Sequence, residues 1–326
     1  MAQLVKLQDY VSRYEKDLKR YPTQFVRLKR QQWERTKEEF EKGSFNTTWT
    51  ETEEKIEEPE KKSIFSKLFH RKKVENSDEE TWETSEIDIV DSTPDEPTPL
   101  FFEPKIVYEP QTKEDLKRMY LDQLFHFQLK WASSTLREKS YVDPKFMRDT
   151  LLRSFMQNLP DNYLLFYYPI LKLKKAPIEL DIMLVLPTEI VCIVMLEAQN
   201  LDAFIGSSDR FWLRKSGKEE KKVLSPLINI NRMESILLQV FQKEEIDLPI
   251  RKVILSRNGY IDYPGSSYNV QFIDSRTYEE WFSSLKSSPS PMKHMQFKAA
   301  QAILNLVQTT SYSRSSWDVD SEEKDD

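Results

Sequence analysis

The sequence predicts an α/β fold, a mixed central sheet flanked by helices, and three observations carry that expectation. Short apolar runs rich in β-branched and aromatic residues, LLFYYPILKL, IELDIMLVL, IVCIVMLEAQ, RKVILS and VQFIDS, read as strands. Segments with helical spacing precede, interrupt and follow those runs, as expected when helices cover a sheet. Charge is segregated as well. The overall −6 divides into about +4 for residues 1–42, −10 for 43–112, +4 for 113–308 and −4 for 309–326. The acidity thus lies in two segments that do not read as folded.

In chain order, residues 1–42 place Leu4, Leu7, Val11, Tyr14, Leu18, Tyr21, Phe25 and Leu28 at alternating spacings of three and four, one stripe along a helix. This predicts an amphipathic helical arm, broken or kinked at Pro22, that packs on the main domain or on a protein partner; a coiled coil is the alternative. Residues 43–112 are rich in Glu, Ser, Thr and Pro and read as a disordered acidic linker. Inside it, residues 61–73, KKSIFSKLFHRKK, form a basic and hydrophobic patch suited to an anionic membrane, a nucleic acid or a protein groove, or else a solvated charge run.

From Lys113 a helix carries Leu116, Met119, Tyr120, Leu124, Phe127 and Trp131 on one side, and a second helix is expected from Pro144 to Leu159. The strand candidates follow, with FWLRK among them, then a helix from about Pro226 to Lys243, the strands RKVILS and VQFIDS, and helices near 276–286 and 293–308. Residues 309–326 read as a disordered acidic tail.

Composition excludes several chemistries. Cys192 is the sole cysteine and sits in the apolar run IVCIV, where a small buried hydrophobe is expected. His70, His126 and His294 have no ligand spacing, which argues against a zinc site or a histidine triad. The five glycines stand apart, so there is no phosphate-cradling loop, and no G-x-S-x-G elbow occurs. No apolar stretch approaches the roughly eighteen residues of a membrane span, and the start lacks a signal-peptide core, so a cytoplasmic protein is expected.

The strongest local signal is the pair IELDIMLVL and IVCIVMLEAQ, separated by Pro187, Thr188 and Glu189, which reads as a β-hairpin. Closed about Thr188, it sets Glu179 opposite Glu197 and Asp181 opposite Met195, so that Asp181, Glu197 and Gln199 project from one face at one end. Two adjacent carboxylates repel, and a divalent cation such as Mg²⁺ would offset the repulsion. Two acids at a solvated strand end would need none.

Around this hairpin the chain resembles the nuclease-related domain (NERD) family, a relative of the PD-(D/E)xK nucleases, from about Lys145 to Leu285. Glu179-Leu180-Asp181 and Glu197-Ala198-Gln199-Asn200 are similar to the family's E-I-D and E-x-K-N. Arg148 to Phe155, ending at Leu159-Pro160, resembles its first helix, with Asp149 in place of a glutamate. Trp212, Ser225-Pro226-Leu227 and RKVILS follow in the family's order.

The resemblance implies a restriction-endonuclease-like fold with its core at about 140–285 inside a 113–308 domain. It also implies Asp181 and Glu197 as Mg²⁺ ligands, Asp149 as an outer acid and Gln199 aligning water. Gln199 stands where the family has a lysine and cannot supply its positive charge. Lys172, Lys174 and Lys175 are candidates to replace that charge. Two functions are therefore expected in competition: a divergent, inactive nuclease-like site in a nucleic-acid-related or adaptor protein, or an active Mg²⁺-dependent phosphodiesterase cleaving DNA or RNA. An adaptor would recruit its protein partner through residues 1–42 or 61–73.

Overall fold

The predicted apolar runs form strands, and the computed structural model shows where several of them are cut. It describes residues 1–42, 102, 104–105, 110–135, 137–173, 176–197, 201–265, 269–287 and 290–313. The N-terminal half comprises β1 (Gln3–Leu7), a 3-10 turn (Arg13–Glu15), α1 (Arg20–Glu41), α2 (Lys113–Trp131), β2 (Glu138–Lys139), α3 (Pro144–Met147) and α4 (Thr150–Asn158). There follow β3 (Leu164–Tyr167), β4 (Ile170–Lys172), β5 (Pro177–Glu179), β6 (Ile182–Val185), β7 (Ile190–Met195), β8 (Ala203–Ile205), β9 (Phe211–Ser216) and β10 (Glu219–Leu224). The remainder is α5 (Pro226–Lys243), β11 (Ile250–Leu255), β12 (Tyr260–Asp262), β13 (Val270–Ile273), α6 (Tyr278–Lys286), α7 (His294–Leu304) and β14 (Tyr312–Ser313).

The fold is mixed α/β. Its central sheet runs β1-β3-β6-β7-β11-β13, with β1 and β3 parallel, β3, β6 and β7 antiparallel in turn, and β7, β11 and β13 parallel. Helix α5 packs on β7 and β11 and meets α7, which packs on β6, while α2 packs on β1 and α4. Every residue of β6 is buried, as is every residue of β7 except Met195, so both faces of these strands are covered. Beside the main sheet stands a second one, ordered β10-β9-β8-β12. No described helix is long and apolar enough to cross a membrane.

Residues 1–42 depart from the helical arm. Gln3–Leu7 is a strand, all five residues of which are buried, and only from Arg20 does the chain become helical. The amide of Leu4 donates to Gln128 Oε1 of α2 (3.0 Å) and that of Gln3 to the Tyr163 carbonyl (2.9 Å). Pro22 falls in the first turn of α1, where the missing N–H has no intrahelical partner to lose, so it neither breaks nor kinks the helix. The linker and tail are also anchored at their inner ends. Phe102 is buried against Tyr120 and Phe127, and Thr310 bonds to Asp9 before Tyr312–Ser313 pairs with β2. The 61–73 patch and residues 314–326 lie outside the described residues.

Candidate functional site

Three interruptions of regular structure build the candidate site. The helix expected from Pro144 to Leu159 is cut at Arg148–Asp149, because Asp149 starts a new helix. Its Oδ1 accepts from the amides of Leu151 and Leu152, both at 2.9 Å, as an N-cap does. The run LLFYYPILKL is cut at Tyr168-Pro169, where Tyr168 takes a φ of 49°. The run IELDIMLVL is cut at Leu180–Asp181, so that β5 pairs with β4 in a separate ribbon while β6 joins the main sheet. Asp181 thus stands at a joint between two sheets.

The β6–β7 hairpin closes one residue tighter than expected. The amide of Leu186 donates to the Glu189 carbonyl (2.8 Å), leaving the two-residue turn Pro187–Thr188. Ile182 consequently pairs with Ile193 and Met183 with Cys192. Carried outward, that register sets Asp181 opposite Val194 rather than Met195. A one-residue change of register reverses which residues share a face. Met183, Cys192 and Lys252 form one row across β6, β7 and β11, and Lys252 Nζ reaches Glu234 Oε2 (2.6 Å) and Asn231 Oδ1 (3.2 Å) of α5. Alternation assigns Asp181 to that α5-facing row and Glu197 to the opposite one.

The partners agree with the assignment. Arg232 of α5 is the cation that acts on Asp181. Glu197 instead accepts from Arg257, at 2.9 Å from Nη2 and 3.2 Å from Nε. This pairing follows from register: Leu255 of β11 lies beside Met195 of β7, so two residues further on Arg257 lies beside Glu197. Asp149 is also occupied, its Oδ2 accepting from the hydroxyl of Tyr167 at 2.6 Å. Burial raises the Tyr167 phenol far above its ordinary value, and the Asp149 charge raises it further.

Tyr168 sits among the acids. Its phenol is pushed up first by burial and then by the charges of Asp181, Asp149, Glu197 and Glu179. Asp181 has no hydrogen-bond or ion-pair partner among the described residues. Burial lifts its carboxyl to about 6, opposed by Arg232 and assisted by Glu179. The site is an acidic edge around two tyrosines, neutralised on one side by Arg257.

Among the described residues, no group of three His, Cys, Asp or Glu could hold a metal ion. Of the two acids to which the resemblance assigns Mg²⁺, Glu197 has a cationic partner in Arg257 and Asp181 has no partner among the described residues. Glu197 is bonded to arginine, Asp149 to a tyrosine and a helix start, and Asp181 belongs to another row. Gln199, Asn200, Lys174 and Lys175 lie outside the described residues. Lys172 is exposed at the far end of the β4–β5 ribbon, opposite Pro177, and lines a cavity of about 790 Å³ with residues of α5 and α7. Sequence reasoning missed Arg257, Arg232, Tyr167 and Tyr168; aligning RKVILSR with IVCIVMLE as parallel neighbours would have found Arg257.

No family model matches the chain. Nor does any solved structure. A short segment is similar to an RNA 2',3'-cyclic phosphodiesterase of Geobacillus stearothermophilus, 54% identical over 41 residues. The match covers 13% of this chain and 13% of that protein.

Proposed function

We propose that this chain carries a nuclease-related domain of the restriction-endonuclease-like class whose carboxylate site has diverged from phosphodiester hydrolysis, leaving a nucleic-acid-related or adaptor role. The observation that carries the reading is the pairing of Glu197 with Arg257, which sets a cation of the chain itself on one of the two central acids. A metal-assisted displacement needs oxygens converging on one ion so that it can orient water and bear the developing charge. The ordered motifs of the sequence support the family, and Gln199 in place of the lysine supports the loss of activity.

One observation favours the alternative, an active Mg²⁺-dependent phosphodiesterase. Asp181 is a largely buried carboxyl without a partner among the described residues, the state in which a cation would be most welcome. Incubation of the full chain with labelled single-stranded RNA and DNA in Mg²⁺ or Mn²⁺ separates the two. The expected result is intact substrate. Cleavage that is abolished by Asp181→Ala and by Glu197→Ala would overturn the reading.

A further inference from the structure

The hairpin β9–β10 leaves the second sheet with a face that nothing in the described structure covers. From Arg210 to Leu224 it holds six cations, Arg210, Arg214, Lys215, Lys218, Lys221 and Lys222, against only Glu219 and Glu220. That excess equals the net charge of the whole 113–308 segment, about +4. Two of the cations are committed. Arg214 binds the buried Asp202 through Nε (2.7 Å), and Lys215 binds Glu220 (2.9 Å). Arg210, Lys218, Lys221 and Lys222 are exposed and have no carboxylate partner among the described residues.

Register separates the faces of the hairpin. Trp212, Val223 and Arg214 point inward, Trp212 being buried and stacked on Tyr263 at 5.6 Å between ring centres, and Lys221, opposite Arg214, belongs to the same row. The outer face pairs Phe211 with Leu224, 50% and 46% exposed, and next to them Leu213 with Lys222. The Arg210 guanidinium carbon lies 5.8 Å from the centre of the Phe211 ring. An aromatic ring open to solvent, with Arg210 beside it, Lys222 on the same face and Lys218 at the turn of the hairpin, combines a stacking platform with cations for phosphates. Like charges crowded on neighbouring strands repel, and a polyanion laid across them relieves that repulsion.

Connectivity ties the hairpin to the acidic edge. β7 leaves the main sheet through Glu197 and enters the second sheet at β8, and β11 leaves through Arg257 and enters it at β12. We propose that the outer face of β9–β10 is a docking surface for single-stranded nucleic acid, on the same sheet whose strands β8 and β12 follow Glu197 and Arg257 in the chain. A single strand is preferred to a duplex because only unpaired bases offer a free face to Phe211. The proposal takes its substrate class from the nuclease-related reading but requires no cleavage.

The test is fluorescence anisotropy on the full chain with labelled oligonucleotides of about 20 residues, RNA and DNA, single-stranded and duplex, at about 50 and 200 mM salt. Single strands are expected to bind tighter than duplexes, and log K to fall with log salt with a slope of about −2, matching three phosphate contacts. Arg210→Glu/Lys218→Glu/Lys222→Glu is expected to weaken binding at least about tenfold, and Phe211→Ala about fivefold or more. The charge-matched Lys19→Glu/Lys117→Glu/Lys130→Glu, in exposed positions elsewhere, is expected to bind like the wild type. Thermal melts establish that each variant is folded, and Arg210→Gln/Lys222→Gln replaces any that is not.

Absence of binding, or binding indifferent to both hairpin variants, overturns the proposal. So does hairpin-dependent binding to vesicles of phosphatidylserine and phosphatidylcholine without binding to single strands. Metal-dependent cleavage of the same oligonucleotides would sink the inactive-site reading and leave the docking surface standing.

Discussion

Asp181 concentrates the residue-scale consequences. Its carboxyl rises from an ordinary 3.8 to about 6 on folding, so between those values the folded chain holds a proton that the unfolded chain has lost. Stability therefore falls as pH rises through that window, and the penalty is complete above it. Asp181→Asn should stabilise the protein by about 2 kcal/mol near neutral pH and by nothing below about pH 4, measured by urea unfolding. Gly206 makes a second case. A Cβ there would lie 2.6 Å from Tyr263 and 2.9 Å from Trp212, both ring atoms in a stack. Gly206→Ala should cost about 1–3 kcal/mol, measured in the same way. Lys252 is 5% exposed and held by Glu234 and Asn231. Lys252→Ala leaves that carboxylate without its cation and should cost about 3 kcal/mol, whereas Lys252→Met, of similar volume, should cost less only if Glu234 turns to solvent.

At the scale of elements, β1 is the sharpest test. Leu4 is wholly buried between β3 and α2, so Leu4→Ala should lower stability by about 2–5 kcal/mol, measured by thermal or urea unfolding; an exposed arm would show almost no change. β1 was illegible for a physical reason. A strand covered on both faces shows no alternation, and the three- and four-residue spacing of Leu4, Leu7, Val11 and Tyr14 imitates a helix. The helices 113–131 and 226–243 and the strand β7 were legible because their apolar periods or runs are long, and β11 and β13 because short β-branched and aromatic runs mark them. The strand β10, EEKKVL, was missed because nearly all of it is exposed and charged. In the site, the presence of Asp181 and Glu197 at one sheet edge was legible, but their faces depended on whether the turn held two residues or three. Asp149 was expected on a helix and caps one instead, since a short carboxylate competes for the free amides that a helix interior does not offer.

At the scale of the whole molecule, the two ends of the described chain meet. Lys6 is buried and bonds both Glu15 (2.6 Å) and Thr309 (2.9 Å), and the amide of Thr310 donates to the Asp9 carbonyl (2.7 Å). The core therefore uses residues on both sides of the acidic linker, and residues 113–308 alone would lack the strand β1 and the helix α1. Any test of the site belongs on the full chain. The central claim is that the acids at this edge no longer assemble a metal centre, and isothermal titration of Mn²⁺ into the full-length protein tests it most directly. The account predicts no saturable binding, in the wild type or in Asp181→Asn. A saturable site in the wild type that is lost in both Asp181→Asn and Glu197→Gln would contradict it.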